Sequence, residues 1–66
     1  MEITINGEKQ TLKDQMSVAQ YLEKLGIDPE TVIIELNLDI LNRDDHGSIL
    51  IEEGDCIEII RMVDGG

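Results

Sequence analysis

Aromatic residues, cysteine and histidine are scarce in this 66-residue chain, which contains one of each. Because Tyr21 is the sole aromatic residue, no platform exists on which nucleic-acid bases could stack. Cys56 alone cannot form an internal disulfide, and Cys56 with His46 cannot make a metal-ligand cluster. The sequence therefore predicts neither a disulfide framework nor a bound metal, and it fits a reducing cytoplasm.

Positive charge is also scarce, with five Lys and Arg residues against 15 Asp and Glu residues and a net charge of −10. Such a surface repels nucleic acid and anionic membranes, so we expect neither as a partner. The charge either keeps the protein in solution or steers it towards a basic protein partner, and the two roles are compatible.

Long apolar runs are missing as well. The longest have three residues, such as 32–34, whereas a membrane-spanning helix needs about 20. The N-terminal stretch MEITING has no basic region followed by an apolar one, so we expect no secretory signal and a cytoplasmic location.

The first half of the sequence predicts a hairpin followed by a helix. Residues 1–5 alternate apolar and polar, Asn6-Gly7 is a strong hairpin-turn signal, and residues 8–12 return as a second strand. Ser17 and Gln20 form a capping box that starts a helix, and Gly26 ends it, with Ile27 folding back on the last turn. The apolar stripe of this helix consists of Val18, Tyr21, Leu22 and Leu25.

The second half predicts three more strands. Asp28 caps a short turn that begins at Pro29, and 32–37 forms a strand with alternate residues on one face. A tight turn at 37–39 leads to a short strand at 40–42, a loop at 43–48, and a last strand at 56–63. On that last strand Cys56, Glu58, Ile60 and Met62 share one face. The order β-β-α-β-β-β predicts an α+β fold, with one main helix packed on a mixed five-strand sheet.

Residue patterns for catalysis are absent, because the sequence has no phosphate-binding loop, nucleophile elbow or pair of histidines at metal spacing. We expect His46 to be a solvated loop histidine and Cys56 to be unreactive, since no basic neighbour would lower its pKa. Asn37 and Arg43 bracket the short fourth strand and are expected at the surface, with a partner contact as the alternative. The sequence thus predicts that the protein is not an enzyme.

The C-terminal residues are the remaining part of the sequence that indicates a function. We predict a domain over 1–63 and a flexible tail over 64–66 that ends in Gly65-Gly66. Two glycines lack side chains, so such a tail can thread a narrow channel into the active site of another protein. The α-carboxylate of Gly66 could then be adenylated by a partner and converted to a thiocarboxylate by a sulfur nucleophile. The alternative is an ordinary frayed end or a purification remnant.

Taken together, the size, the element order and the Gly-Gly end resemble the ubiquitin-like β-grasp sulfur carriers, and in particular the ThiS family of thiamine biosynthesis. The resemblance covers the whole chain and rests on the stretches ITINGE, SVAQYLEKLGI, VIIELNLDILNR and EEGDCIEIIRMVDGG. The last stretch is the most specific, because it joins a glycine-aspartate turn, an apolar strand and the terminal Gly-Gly. Leu38-Asp39 stands where this family usually has a glycine-containing turn.

The resemblance implies a mechanism and partners. An E1-like adenylyltransferase (ThiF type) activates the carboxylate with ATP and magnesium, and sulfur comes indirectly from a cysteine desulfurase. A thiazole synthase (ThiG type) receives the sulfur, and the carrier itself binds no cofactor. Gly66 then carries the sulfur, Gly65, Asp64 and Val63 thread the active site of the partner, and Ile60, Arg61 and Met62 form the partner-binding surface.

Other hypotheses about the function stay open at this point. The sulfur could serve molybdopterin synthesis, tRNA thiolation or cysteine synthesis instead of thiamine. The chain could also be a passive β-grasp binding module that tolerates loss of Gly66, or a ubiquitin-like modifier that becomes linked to lysine.

Overall fold

The computed structural model describes residues 1–62 and shows a five-strand sheet with one α-helix. The strands are β1 (Glu2–Ile5), β2 (Glu8–Thr11), β3 (Val32–Leu36), β4 (Asp39–Ile40) and β5 (Cys56–Arg61), and the helix is α1 (Val18–Leu25). Short 3-10 helices cover Pro29–Thr31 and Arg43–Asp45. The predicted α+β class, element order and mixed five-strand sheet are confirmed. The predicted boundary between a domain over 1–63 and a tail over 64–66 lies outside the described residues, so it stays a prediction.

The sheet order is β2-β1-β5-β3-β4, so the last strand occupies the centre. Strand β5 runs parallel to β1, with Thr4 opposite Cys56, and antiparallel to β3, with Val32 opposite Arg61. The hairpins β1–β2 and β3–β4 are antiparallel. Strand β5 pairs with β1 only at Cys56 and Ile57, whereas its pairing with β3 continues over residues 57–61, so the half that leads to the predicted tail is held by β3.

The first hairpin turns at Asn6-Gly7 as predicted. Both residues have positive φ, 50° and 84°, as a type I′ turn requires. The Asn6 side chain also fixes the neighbouring strand, because its Oδ1 accepts a 2.7 Å hydrogen bond from the Ile59 amide. The turn therefore joins the β1–β2 hairpin to the centre of the sheet.

Helix α1 begins and ends as predicted. The Ser17 hydroxyl accepts from the Gln20 amide at 3.1 Å, and the Gln20 side chain accepts from the Ser17 amide at 2.9 Å. Gly26 has a φ of 73°, and the Ile27 amide donates to the Leu22 carbonyl. The buried stripe is shorter than predicted, since it consists of Val18, Tyr21 and Leu22, whereas Leu25 at the C-terminal end of the helix is 45% exposed.

The core lies between α1 and the inner face of the sheet, which is the face that the helix covers. The core consists of the apolar stripe of the helix, alternate residues of the strands, and Ile51. Ile51 is fully buried although it lies outside the strands. The buried apolar residues are Ile3, Leu12, Val18, Tyr21, Leu22, Val32, Ile34, Ile51 and Ile57. Alternate residues of β3 and β5 therefore point away from the core and form the outer face of the sheet.

Two boundaries in the second half differ from prediction. Strand β4 covers Asp39–Ile40 and not 40–42, because Asn37 and Leu38 make a two-residue turn that lets pairing resume at Asp39. Strand β5 ends at Arg61, although the Met62 amide still donates to the Thr31 carbonyl at 3.0 Å. The predicted loop at 43–48 also contains a 3-10 turn.

Candidate functional site

The predicted site centres on the end of β5. The chain is held by backbone pairing as far as Met62, whose amide bonds to Thr31 at the start of β3. The predicted sulfur-carrying Gly66 and the threading residues Gly65, Asp64 and Val63 lie outside the described residues. The last described residue before them, Met62, lies at the end of the sheet where β5 ends and β3 begins.

An apolar cluster lies on the outer face of the sheet beside the end of β5. Ile33 of β3 and Ile60 of β5 are directly opposite each other, and both are exposed. Ile40 of β4 is 70% exposed, and Met62 is also exposed. We call Ile33, Ile40, Ile60 and Met62 the outer-face patch. The predictions of Ile60 and Met62 as exposed residues of this face are confirmed, whereas Ile33 and Ile40 were not predicted as site residues.

Arg61 lies on the other face of the sheet. Along β5, Ile57 is buried and Ile59 is half-buried against the core, and Arg61 continues their side of the strand. The strand alternation therefore separates Arg61 from Ile60 and Met62. Arg61 is exposed, so it remains accessible, but it borders the helix side and not the outer-face patch.

Two carboxylates interrupt the outer face. Glu35 of β3 stands opposite Glu58 of β5, and Ile40 stands opposite Glu35 on the other side. Glu35 is half-buried and Glu58 is exposed. The ion pairs found among residues 1–62 join Lys9 to Glu2 at 3.9 Å and Arg43 to Glu30 at 3.8 Å, so neither Glu35 nor Glu58 has a basic partner within that part of the chain.

The tip of the β3–β4 hairpin is strained. Asn37 and Leu38 have φ values of 51° and 75°, and Leu38 is 89% exposed. Asparagine tolerates this conformation, but a leucine in it is unusual and costs free energy. The Asn37 side chain anchors the turn, since its Oδ1 accepts from the Cys56 amide at 2.9 Å and its Nδ2 donates to Asp55 at 3.1 Å. Asn37 thus has a structural role, and Leu38 was not predicted as a site residue.

The prediction that His46 is a solvated loop histidine is wrong. The residue is only 5% exposed, and both imidazole nitrogens are buried without a hydrogen-bond partner among the described residues. The reason is the 3-10 turn at Arg43–Asp45, which directs the chain back to α1, where the His46 carbonyl accepts from the Ala19 amide. Burial lowers the pKa of the imidazole, the Arg43 charge lowers it further, and the Asp45 carboxylate opposes both.

His46 lines two cavities. One of about 340 Å³ lies against α1 and is lined by Leu22 and Ile27, and one of about 160 Å³ lies against β3 and is lined by Ile34 and Met62. Arg43 borders both cavities. Free space therefore adjoins His46 on the side of the helix and on the side of β3.

The described residues offer little for catalysis. Cys56 is exposed on the outer face, as predicted, and no group of three or more His, Cys, Asp or Glu residues within 1–62 is arranged to hold a metal ion. Among the described helices, none is long and apolar enough to cross a membrane. What this part of the chain presents is the exposed outer-face patch beside the end of β5.

Comparison with known proteins identifies the relatives of the chain. The model of the ThiS family matches residues 2–66, almost the whole sequence. Among curated proteins, the chain is 33% identical to a thiazole synthase of Paramagnetospirillum magneticum and 32% identical to one of Magnetococcus marinus, in each case over all 66 residues. The chain spans only about a fifth of the length of these two proteins (20% of each).

Solved structures show the same fold. The crystal structure of the thiamine biosynthesis protein ThiS from Geobacter metallireducens matches with a TM-score of 0.88 and 29% identity, and the match covers 100% of both chains. A solution structure of a thiamine biosynthesis protein from the same organism matches with a TM-score of 0.82 and 29% identity, over 100% of this chain and 88% of the other. The ubiquitin-like β-grasp fold predicted from the sequence is thereby confirmed.

Proposed function

Because the chain belongs to the ThiS family, we propose that it is a sulfur carrier for synthesis of the thiamine thiazole. The observation that carries this proposal is the family match over residues 2–66, which includes Gly65-Gly66. The two structural relatives, whose names place them in thiamine biosynthesis, support the same pathway. Transfer to molybdopterin, tRNA or cysteine has no comparable support.

The proposed chemistry takes place on the α-carboxylate of Gly66, which must be free in the active protein. The carboxylate attacks the α-phosphorus of ATP and displaces pyrophosphate, which leaves an acyl-adenylate. A persulfide sulfur then attacks the acyl carbon and AMP departs. Cleavage of the resulting acyl disulfide by a thiol leaves a thiocarboxylate on Gly66, and this group supplies sulfur to the thiazole.

In this scheme the chain is a protein co-substrate and not an enzyme. An E1-like adenylyltransferase holds ATP and magnesium, and a cysteine desulfurase supplies the persulfide. The carrier contributes the tail, in which Val63, Asp64 and Gly65 thread the active site of the partner, and a rigid base from which the tail leaves. Pairing of β5 with β3 over residues 57–61 and the hydrogen bond from the Met62 amide to Thr31 support the second role, because they fix the direction of the chain as far as Met62.

We propose a thiazole synthase as the enzyme that receives the sulfur. The two curated relatives carry that name and contain a segment similar to this chain within a longer protein. This chain spans about a fifth of their length (20% of each). We therefore propose that it corresponds to a carrier segment of these proteins, and that the synthase activity belongs to the rest of them. A segment similar to this chain that lies in one polypeptide with the rest of a protein named thiazole synthase supports such an enzyme as the partner here.

The test is reconstitution of thiazole formation from the carrier, an E1-like adenylyltransferase, a persulfide source and a thiazole synthase. The unmodified chain should support product formation, whereas deletion of Gly66 or addition of one residue after it should abolish formation. Replacement of the exposed helix residue Glu23 by Gln serves as the control and should leave product formation unchanged. If the deleted and extended chains work as well as the original, the protein is a passive binding module instead.

A further inference from the structure

The segment of residues 43–48 is tied to the rest of the fold at few points. In the described part of the chain, one backbone hydrogen bond links it to the helix or the sheet: the His46 carbonyl accepts from the Ala19 amide at 2.9 Å. Its other backbone hydrogen bonds stay within the segment or go to the residues on either side of it. The ion pair from Arg43 to Glu30 is exposed and 3.8 Å long. A segment held by so few contacts can open locally while the rest of a domain stays folded.

The side chain that holds this segment against the core is that of His46. It is the one buried residue among 43–48, and the cavities that it lines reach Leu22 of α1 and Ile34 of β3, each only 1% exposed. Its two nitrogens nevertheless have no hydrogen-bond partner among the described residues. The segment is therefore closed by a side chain whose polar atoms gain nothing from burial.

The surroundings of His46 are worse still for a protonated ring. Burial disfavours the charge most, the Arg43 guanidinium repels it, and the Asp45 carboxylate opposes these two effects. From α1, the exposed Glu23 is the other charged residue at the larger cavity. The turn Pro29–Thr31 contributes a proline to that cavity, and its one carboxylate is the partner of Arg43. Apart from Arg43 and His46, the described residues that line the smaller cavity are all apolar.

Solvent offers the imidazolium a better position. Outside the core, both of its N–H groups can donate to water, and the carboxylates of Asp44 and Asp45 beside it in the chain attract its charge. The neutral ring has no such gain and keeps its apolar contacts in the closed position. Proton uptake therefore shifts the balance from the closed position of the segment towards an open one.

We propose that His46 is a pH switch: when its imidazole gains a proton, residues 43–48 move away from α1 and β3 while the sheet stays folded. Opening breaks the hydrogen bond between the Ala19 amide and the His46 carbonyl. It also removes the side chain that lies at both cavities, so that Leu22 and Ile34 become accessible. Neither step depends on the proposed function of Gly66.

The switch lies next to the end of β5. Met62, the last described residue before the predicted tail, lines the smaller cavity together with His46. Opening of the segment therefore uncovers apolar surface beside Met62 at low pH and covers it again as the pH rises. The part of the protein from which β5 leaves the sheet would in this way respond to pH, whether or not Gly66 carries sulfur.

Native-state amide hydrogen exchange followed by NMR tests the switch, at pH 7.5 and pH 5.5 and in low concentrations of urea. After correction for the intrinsic exchange rates, protection of the Ala19 amide should fall several-fold at pH 5.5. The upper limit is about tenfold, because an open ring with the ordinary histidine pKa of about 6.5 gains that factor over this interval. Exchange of this amide should depend little on urea, since local opening exposes little surface. The Asn6 amide, which bonds to the Ile57 carbonyl within the sheet, should be better protected and depend steeply on urea.

The matched control is His46→Phe, which keeps the backbone carbonyl that Ala19 bonds to and removes the titrating group. Its Ala19 amide should be equally protected at both pH values. If this variant does not fold, His46→Gln serves the same purpose, because glutamine does not titrate either.

Three results would overturn the proposal. The first is unchanged protection of Ala19 in the wild type between pH 7.5 and pH 5.5. The second is a fall that persists in the His46 variants, which would assign the opening to other groups. The third is equal protection and equally steep urea dependence for Ala19 and Asn6 at pH 5.5, which would mean that acid acts only through unfolding of the whole domain.

Discussion

Replacing His46 by Phe should stabilise the protein, although the residue is buried. Phenylalanine has nearly the same shape as histidine but no hydrogen-bonding nitrogens. The two imidazole nitrogens are buried without partners among residues 1–62, and His46 lines two cavities, so space adjoins the residue that the larger phenylalanine ring could use. The change therefore removes an uncompensated polar group and adds apolar contact.

The size of the gain follows from the cost of an unsatisfied buried polar group, which is about 1–3 kcal/mol. In a domain of this size each 1 kcal/mol shifts the Tm by roughly 4–8 °C, so even the lower limit is easily measured. Thermal unfolding followed by circular dichroism at pH 7.5 is the assay. His46→Gln is the matched variant, because it keeps buried polar atoms and should give no comparable gain.

The same residue predicts a pH dependence. The pKa of His46 is lowered in the folded protein, so the unfolded chain binds a proton more readily. Stability is therefore complete above the ordinary histidine pKa of about 6.5, and part of it is lost as the pH falls from there towards the lower pKa of the folded state. Both His46→Phe and His46→Gln should remove this loss between pH 7.5 and pH 5.5.

A clear outcome would refute this reasoning. If His46→Phe lowers the Tm at pH 7.5 and the wild type is equally stable at pH 7.5 and 5.5, the imidazole has hydrogen-bond partners in solution. The burial found here would then be a stabilising feature and not a cost.

Three further predictions concern the parts of the fold that support the site. Ser17→Ala should lower the free energy of unfolding by about 1 kcal/mol in urea titration, because the capping box of α1 is lost. Ile51→Ala should cost about 2–5 kcal/mol in the same assay, whereas Leu50→Ala, at a neighbouring residue that is 52% exposed, should cost far less. Asn37→Ala should cost about 0.5–1.5 kcal/mol and speed hydrogen exchange of the Cys56 amide, which would lose its acceptor; unchanged exchange would contradict this hydrogen bond.

Local signals in the sequence were sufficient for most of the fold. Asn6-Gly7, the Ser17–Gln20 box and Gly26 each mark a boundary through the conformation or hydrogen bond that the residue itself supplies, and each is found where predicted. Period-two alternation likewise placed Ile60 and Met62 on the exposed face. These features depend on neighbours in the chain, which a sequence shows directly.

The features that were missed depend on neighbours in space. Glu35 meets Glu58 only because β5 enters the sheet beside β3, and the sequence gives no register for strands that are 20 or so residues apart. His46 is buried by a 3-10 turn that the acidic stretch 44–45 did not suggest. Leu38 takes a conformation that its residue type disfavours, so local preference predicted the turn but not its strain.

The central claim is that Gly66 carries sulfur, and intact-mass spectrometry tests it most directly. The protein is incubated with ATP, magnesium, an E1-like adenylyltransferase and a persulfide source, and the C-terminal fragment is then sequenced by mass. We predict a mass gain equal to the exchange of one oxygen for one sulfur, located on Gly66 and absent when ATP is omitted. A chain that keeps its original mass under these conditions, with several such activating enzymes, would contradict the account.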